Sequence, residues 1–434
     1  MRKNINKIIA FAIGISVMSG SIVPALAEDS TQQTTNSTST ATNSQIVNGK
    51  PLLTLDEAIK SAISIDEGLA LDEKKISYQD KVNDLQDKIN DETPNTSSDK
   101  EDYDKDSAEA KLNMAKQQRD FDEDILIQKV TDKYNAIVTS QMKIDKAAKD
   151  LDVKSKNLQN AKLKQSLGMT TTIDLKATEL SIENDQNTQK LSENTLKDAQ
   201  YSFKVLTSKD VTQYSLEQDI KFETLKIDGS IDGYLDNVID SYLKYSEEIV
   251  KLNKDYYDKD YEDDNNVSTS KIDSAKDNIG TTESKLEQVK KDPTATPDDI
   301  AKAKKDVEDA EKSYLTSLGN RMAFLQTKLG NYQKEESLSQ EKKQFKDGLK
   351  TYYTNLLASE DKINYDKKQI ELNNEKLKNA KLQYDLGMLT ETDYNTQVVS
   401  ARDLDIQLRS EVINYNDLKE KVQKPWIAFS SNGQ

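Results

Sequence analysis

Residues 160–174 read NAKLKQSLGMTTTID, and residues 379–393 read NAKLQYDLGMLTETD. Each stretch ends a polar helical run at Leu-Gly-Met and opens the next with a Thr-x-x-Asp box, Thr171 to Asp174 in the first and Thr390 to Asp393 in the second. Glycine just past a periodic segment, here Gly168 and Gly387, supplies the left-handed backbone that closes a helix, because it carries no Cβ. Thr and Asp then supply acceptors for the free N–H groups of the following helix. The spacing predicts a helical hairpin tip at 167–174 and a second at 386–393.

Working outward, no proline interrupts residues 108–167, and Val130, Tyr134, Ile137, Ile144, Leu151 and Leu158 recur by steps of three, four or seven. That is a heptad seam. It resumes beyond the tip at Leu175, Ile182, Gln189, Leu196 and Phe203. Neither run can bury its stripe alone, so the two are expected to pack antiparallel across the turn. The offset of 219 that carries Gly168 onto Gly387 also carries Tyr134 onto Tyr353, Ile144 onto Ile363, Leu158 onto Leu377 and Asp174 onto Asp393. Two ungapped copies of one helical unit follow, in a pseudo-symmetric arrangement. Stripes broken by Ser155, Asp185 and Gln189 bury little area per helix, so lateral association into a homo-oligomer is expected to contribute much of the stability.

Composition agrees with long, thin helices. Hydrophobic residues make up 35% and charged residues 32% of 434, with few Gly and Pro, which suits narrow apolar seams better than one thick core. The 77 acidic and 61 basic side chains leave a net charge of −16, without the basic footprint that nucleic acid or an anionic membrane needs. Histidine and cysteine are absent, which removes the usual bases, thiolates and soft metal ligands, so neither catalysis nor a cofactor is expected. The Asp258-Lys259-Asp260-Tyr261-Glu262 run suggests a calcium loop only superficially: its sixth and twelfth positions are Asp263 and Thr269, where an EF-hand needs Gly and an acid. It reads as a solvated loop. The nineteen tyrosines read as seam fillers, with lining of a duct or stacking on sugar rings as the alternative.

The chain divides as follows. Residues 1–27 form a signal peptide: Arg2, Lys3 and Lys7, an apolar stretch at 8–18, and an Ala25-Leu26-Ala27 cleavage site, which predicts export. Residues 28–50 are a Ser/Thr/Asn-rich linker. The first helical repeat occupies 51–228. It opens with a Thr54/Glu57 capping box, with a break expected near Gly68, and contains a solvated loop at 90–107. A short extended connector holding Ile220, Phe222, Leu225 and Ile227 closes it. The second repeat occupies 229–425 with an extra helical insertion at 258–300, where Thr296-Pro297-Asp298-Asp299 starts a new helix that Gly319 or Gly330 could interrupt. Pro425 stops its last helix, and 426–434 is a tail.

These residues together resemble the TolC family of outer-membrane efflux ducts. The resemblance is carried by the signal peptide, by Leu-Thr-Leu-Asp-Glu-Ala-Ile at 53–59, and by Leu-Gly-x5-Asp followed by Leu175 in one half and Tyr394 in the other. It implies an all-α architecture of long antiparallel hairpins in two pseudo-repeats, the helices of a trimeric α-barrel. It also implies an envelope location, and hairpin tips that meet a periplasmic adaptor and an inner-membrane pump. On that reading Gly168, Thr171, Asp174, Gly387, Thr390 and Asp393 lie at the adaptor end. Two departures stand out. The family's membrane strands would fall at 90–107 and 255–297, and neither segment offers ten residues of alternating apolar side chains, so little or no β-barrel is expected. Many members also carry a basic residue two places after the second tip's glycine, where this chain has Leu389. The alternative reading is an exported coiled-coil scaffold or spacer without transport activity, with a carboxylate-based wall hydrolase far behind both.

Overall fold

The computed structural model describes residues 46–47, 49–93, 97–169 and 171–429. The signal peptide, and the linker up to residue 45, lie outside them. Two short strands, β1 (Ile46–Val47) and β2 (Lys50–Leu53), precede helices α1 (Leu55–Ile65), α2 (Glu67–Glu92), α3 (Ser98–Ser166) and α4 (Thr172–Thr207). A 3-10 turn (Val211–Gln213) and strand β3 (Ser215–Leu216) lead to α5 (Ile231–Lys259), α6 (Tyr261–Asp264), α7 (Thr269–Lys291), α8 (Pro297–Asp385), α9 (Glu391–Gln423) and α10 (Pro425–Phe429). The protein is all-α, and strand among the described residues is confined to these three short pieces.

Hydroxyl and carboxylate caps set the helix starts, because the first N–H groups of a helix have no partner inside it. Thr54 and Glu57 form a reciprocal capping box at α1, Ser97 receives the Lys100 N–H at α3, and Ser230 receives the Gly233 N–H at α5. At α8, Thr296 receives the Asp299 N–H while the Asp299 carboxylate takes the Thr296 N–H at 2.9 Å.

The described residues form two compact units, each drawing on both halves of the sequence. The first holds residues up to Asp66, Glu123–Ile227 and everything from Leu349. In it β2 pairs antiparallel with β1 and parallel with β3, Leu53 opposite Leu216. Fully buried Leu356, Ile363 and Tyr415, with Val412 and Leu418, form a cluster of α8 and α9. Ile220, Phe222 and Leu225 of the connector pack against it, so that segment is anchored by its apolar residues. Asn135 and Thr139 of α3 and the Gln218 carbonyl all accept hydrogen bonds from the buried Arg409 guanidinium of α9, whose pKa burial pulls below its usual value. At the start of the tail, the Trp426 indole N–H donates to Asp124 at 3.0 Å.

The second unit holds Glu67–Asp122 and Asp228–Gly348. Its core is aromatic: Tyr103 of α3 stacks on Tyr256 of α5 at 4.2 Å between centroids, and Tyr242 lies 5.5 Å from both Phe121 and Phe345. Seam filling is therefore what these tyrosines do.

Three expectations are corrected here and one is met. Residues 46–47 and 50, read as linker, are strand. Residues 90–107, read as a loop, are helical up to Glu92 and again from Ser98. Their charge run is the solvated side of α2 and α3, and Asn83 of α2 reaches the Ala108 carbonyl of α3 at 3.3 Å. The break expected near Gly68 is present, at Asp66. And α8 runs unbroken through Gly319 and Gly330, since an isolated Gly costs a helix only about 1 kcal/mol, which its packing offsets.

Candidate functional site: the paired hairpin tips

Both tips belong to the first unit, and their backbones are near-copies. In the first, α3 ends at Ser166 and Gly168 adopts φ +74°; in the second, α8 ends at Asp385 and Gly387 adopts φ +72°. The Met169 N–H returns to the Lys164 carbonyl at 2.8 Å and Gly168 to Gln165 at 2.9 Å. Met388 returns to Gln383 at 2.8 Å and Gly387 to Tyr384 at 2.9 Å. This six-to-one and four-residue pairing closes the last turn with a left-handed residue.

The capping residues sit where their spacing predicts. Thr171 is the N-cap of α4 and Thr390 that of α9. Each hydroxyl receives the N–H of the aspartate three residues on, Asp174 or Asp393, at 3.1 Å. Each also donates to that aspartate's carboxylate, at 2.6 Å in the first tip and 2.7 Å in the second. The carboxylates thus stand in the first turn of their helices, where the helix dipole favours negative charge.

The two tips are fastened differently behind this shared frame. Gln165 donates to the Thr172 hydroxyl at 3.2 Å in the first. In the second, Tyr384 stacks on Tyr394 at 5.4 Å, with Lys381 over both rings. Between the hairpins, Lys156 of α3 pairs with Glu391 at the start of α9 at 3.1 Å, and this holds the Lys156 pKa above its usual value. Lower down, Lys146 pairs with Asp403.

Sequence reasoning missed the most exposed groups of the tips. Leu167, Met169 and Ile173 are exposed by 67%, 72% and 80%, and Leu386 and Met388 by 66% and 74%. Their signal was the Leu-Gly-Met triplet itself: two large apolar residues flanking a left-handed glycine have no core to turn into. Each tip therefore presents an apolar crown over a collar of capped helix ends.

Chemistry is sparse elsewhere. Among the described residues no group of three acidic side chains is placed to hold a metal ion. Asp258 of the calcium-like run is instead paired with Lys328 at 3.0 Å and with the Tyr332 hydroxyl. No described helix is long and apolar enough to cross a membrane. A 360 Å³ groove between α7 and α8, lined by Lys285, Asp306 and Ser313, and a 530 Å³ groove at residues 222–226 beside Lys419 are both open.

No family model and no curated protein matches the chain. Similar solved structures do exist. A membrane protein from Pseudomonas aeruginosa is 11% identical over 94% of this chain and 99% of that one, with a TM-score of 0.47. The open-state MtrE outer membrane channel of Neisseria gonorrhoeae is 11% identical over 86% and 89%, at 0.48. The CmeC outer membrane channel of Campylobacter jejuni is 12% identical over 94% of each chain, at 0.45. Two of these three are outer membrane channels.

Proposed function

We propose that the chain is a non-enzymatic, TolC-like component of an efflux or export assembly in the cell envelope, working as a homo-oligomer that contacts an adaptor through its hairpin tips. The doubled tip carries this reading. A turn that only reversed the chain would tolerate variation, yet the two tips match in glycine conformation, in capping geometry and in an exposed Leu-Gly-Met crown. Exposed apolar groups on a rigid, capped frame suit a partner that inserts apolar side chains between helix ends. The proposed assignment gives Gly168 and Gly387 the turn, Thr171, Asp174, Thr390 and Asp393 the frame, and places a trimer and a membrane pump behind the adaptor by resemblance.

The test uses the absence of cysteine. Thr172→Cys and Glu391→Cys, introduced singly and treated in intact cells with a short thiol cross-linker, are expected to yield one discrete adduct with an adaptor-type protein encoded beside this chain. Cross-linking no stronger than that of an exposed cysteine far from the tips would overturn the proposal.

One observation favours a second reading, an exported scaffold or spacer: the segments that would hold the family's membrane strands are helices α2, α3, α5, α6, α7 and the start of α8. Fractionation separates the two. Recovery only with detergent contradicts the scaffold, and release as a freely secreted protein contradicts the duct.

A further inference from the structure

Within the second unit, the 321–331 stretch of α8 turns mostly polar side chains inward. Arg321 pairs with Glu262 at 2.9 Å and donates to the Val267 carbonyl, Lys328 pairs with Asp258, and Asn331 donates to the Asn253 carbonyl. Of the apolar residues in this stretch only Phe324 turns in, stacked on Tyr261. Beside them runs a row of Leu315, Leu318, Met322, Leu325, Leu329 and Tyr332, exposed by 39–66%, with the Tyr332 hydroxyl turned in to Asp258. Their steps of three, four, three, four and three form an unbroken heptad row. Glu308 and Glu311 precede the row at the same spacing and Glu336 and Ser339 follow it, so it is bounded at both ends.

We propose that this row is a seam between copies of the chain, in which α8 of one protomer packs parallel and in register against α8 of a second. The row's flanks fit a like partner. On one side lie Gly319, Gln326 and Gln333, which are uncharged. On the other, Arg321 and Lys328 are already neutralised by Glu262 and Asp258. A copy carrying a net charge of −16 can therefore approach here without like charges meeting within the row, and Glu308, Glu311 and Glu336 confine the contact to it by repelling their counterparts just beyond its ends. Six large side chains from each of two copies, at about half their area, put on the order of 1,000 Å² into the seam, the size at which specific association becomes stable. The parallel sense rests on the proposed function, which needs the tips of all copies at one end.

Two other occupants fit less well. A lipid surface would need a wide apolar face, and this row is one residue wide per turn. The exposed row on α2 (Leu71, Tyr78, Val82, Leu85 and Ile89) stands at another level of the unit. Asn83 reaches Ala108, Tyr103 reaches Asn253, and Asn253 and Lys254 meet Asn331 and Glu335, which sets it beside α8 residues from Asn331 onward.

The test is self-cross-linking of single-cysteine variants of the otherwise cysteine-free chain, with mass measured by light scattering. Leu318→Cys and Leu325→Cys are each expected to form covalent dimers with themselves at least tenfold faster than Asn320→Cys and Thr327→Cys, which are exposed on the opposite side of the row. Leu325→Asp is expected to reduce the oligomer mass with helix content unchanged, since the side chain is exposed in the single chain. Equal cross-linking at all four sites overturns the seam, as does an oligomer that survives Leu325→Asp. Flotation with phosphatidylglycerol vesicles that Leu325→Asp abolishes, without self-cross-linking, overturns it in favour of lipid. An intact seam without adaptor adducts at the tips would instead sink only the proposed function.

Discussion

The Tyr134 hydroxyl donates to the Leu53 carbonyl at 2.7 Å, so the middle of the long helix α3 is pinned to the strand that precedes α1. The same oxygen receives the Glu217 N–H at 2.7 Å, just beyond β3. One phenol therefore closes the open ends of two paired strands.

Tyr134→Phe leaves a buried carbonyl and an N–H with poorer partners. A loss of about 1–2 kcal/mol is expected in urea titration. Burial pushes the Tyr134 pKa up to about 12. Below pH 10 the phenol is neutral in both folded and unfolded chains, and no pH dependence arises from it. Between pH 10 and 12 the unfolded chain releases the proton while the folded chain keeps it, so stability falls as pH rises. The variant should show a shallower alkaline decline than the parent.

Gly168→Ala and Gly387→Ala test the turn itself. An added Cβ would meet nothing within 4 Å at either site, so the cost is the left-handed backbone alone, about 1–2 kcal/mol each. Asn, which tolerates that conformation, should restore most of the loss at both positions. Thermal unfolding of the four variants measures it. A loss with Asn as large as with Ala would show that the turn conformation is not what the glycines provide.

Thr171→Ala and Thr390→Ala remove equivalent caps. Each should cost about 0.5–2 kcal/mol and speed amide exchange in the first turn of α4 or α9 only. Because the two geometries agree so closely, the effects should be equal. A one-sided effect would show that the tips differ in how much their frames depend on the cap.

Asp132 offers a test of opposite sign. Burial and the nearby Asp417 carboxylate raise its pKa, while the Gln128 amide bonds both acids. A raised carboxyl pKa means the folded chain holds the proton more tightly than the unfolded one. Stability from this group is therefore present at low pH and lost as pH rises through the window just above pH 4. Asp132→Asn should be slightly more stable than the parent at neutral pH, with a melting temperature about 1 °C higher, and the difference should vanish in acid.

The tips were legible because caps are local. Leu-Gly-Met and Thr-x-x-Asp act on neighbours within one turn, so no tertiary knowledge was needed to place Gly168, Thr171, Gly387 or Thr390. The proline-initiated start of α8 was readable for the same reason. The charged run at 90–107 was misread because solvated helix and solvated loop share a composition; what decides is the packing of Tyr103 on Tyr256, which lies 153 residues away in sequence. The apolar crowns were overlooked because a heptad rule assigns every Leu and Met to a seam. Only exposure reveals which of them have none.

The interleaving of the two units bears on how the chain reaches this state. The first unit closes only when residues from 349 onward arrive, since Tyr415, Val412 and Leu418 complete the cluster around Leu356 and Ile363. During synthesis the earlier helices must wait with their apolar stripes uncovered, because contacts this distant in sequence form late. A nascent chain stalled just before α9 would thus hold every residue of the second unit and no finished first unit, so the segments on either side of an already complete body wait for the last long helix to lock them.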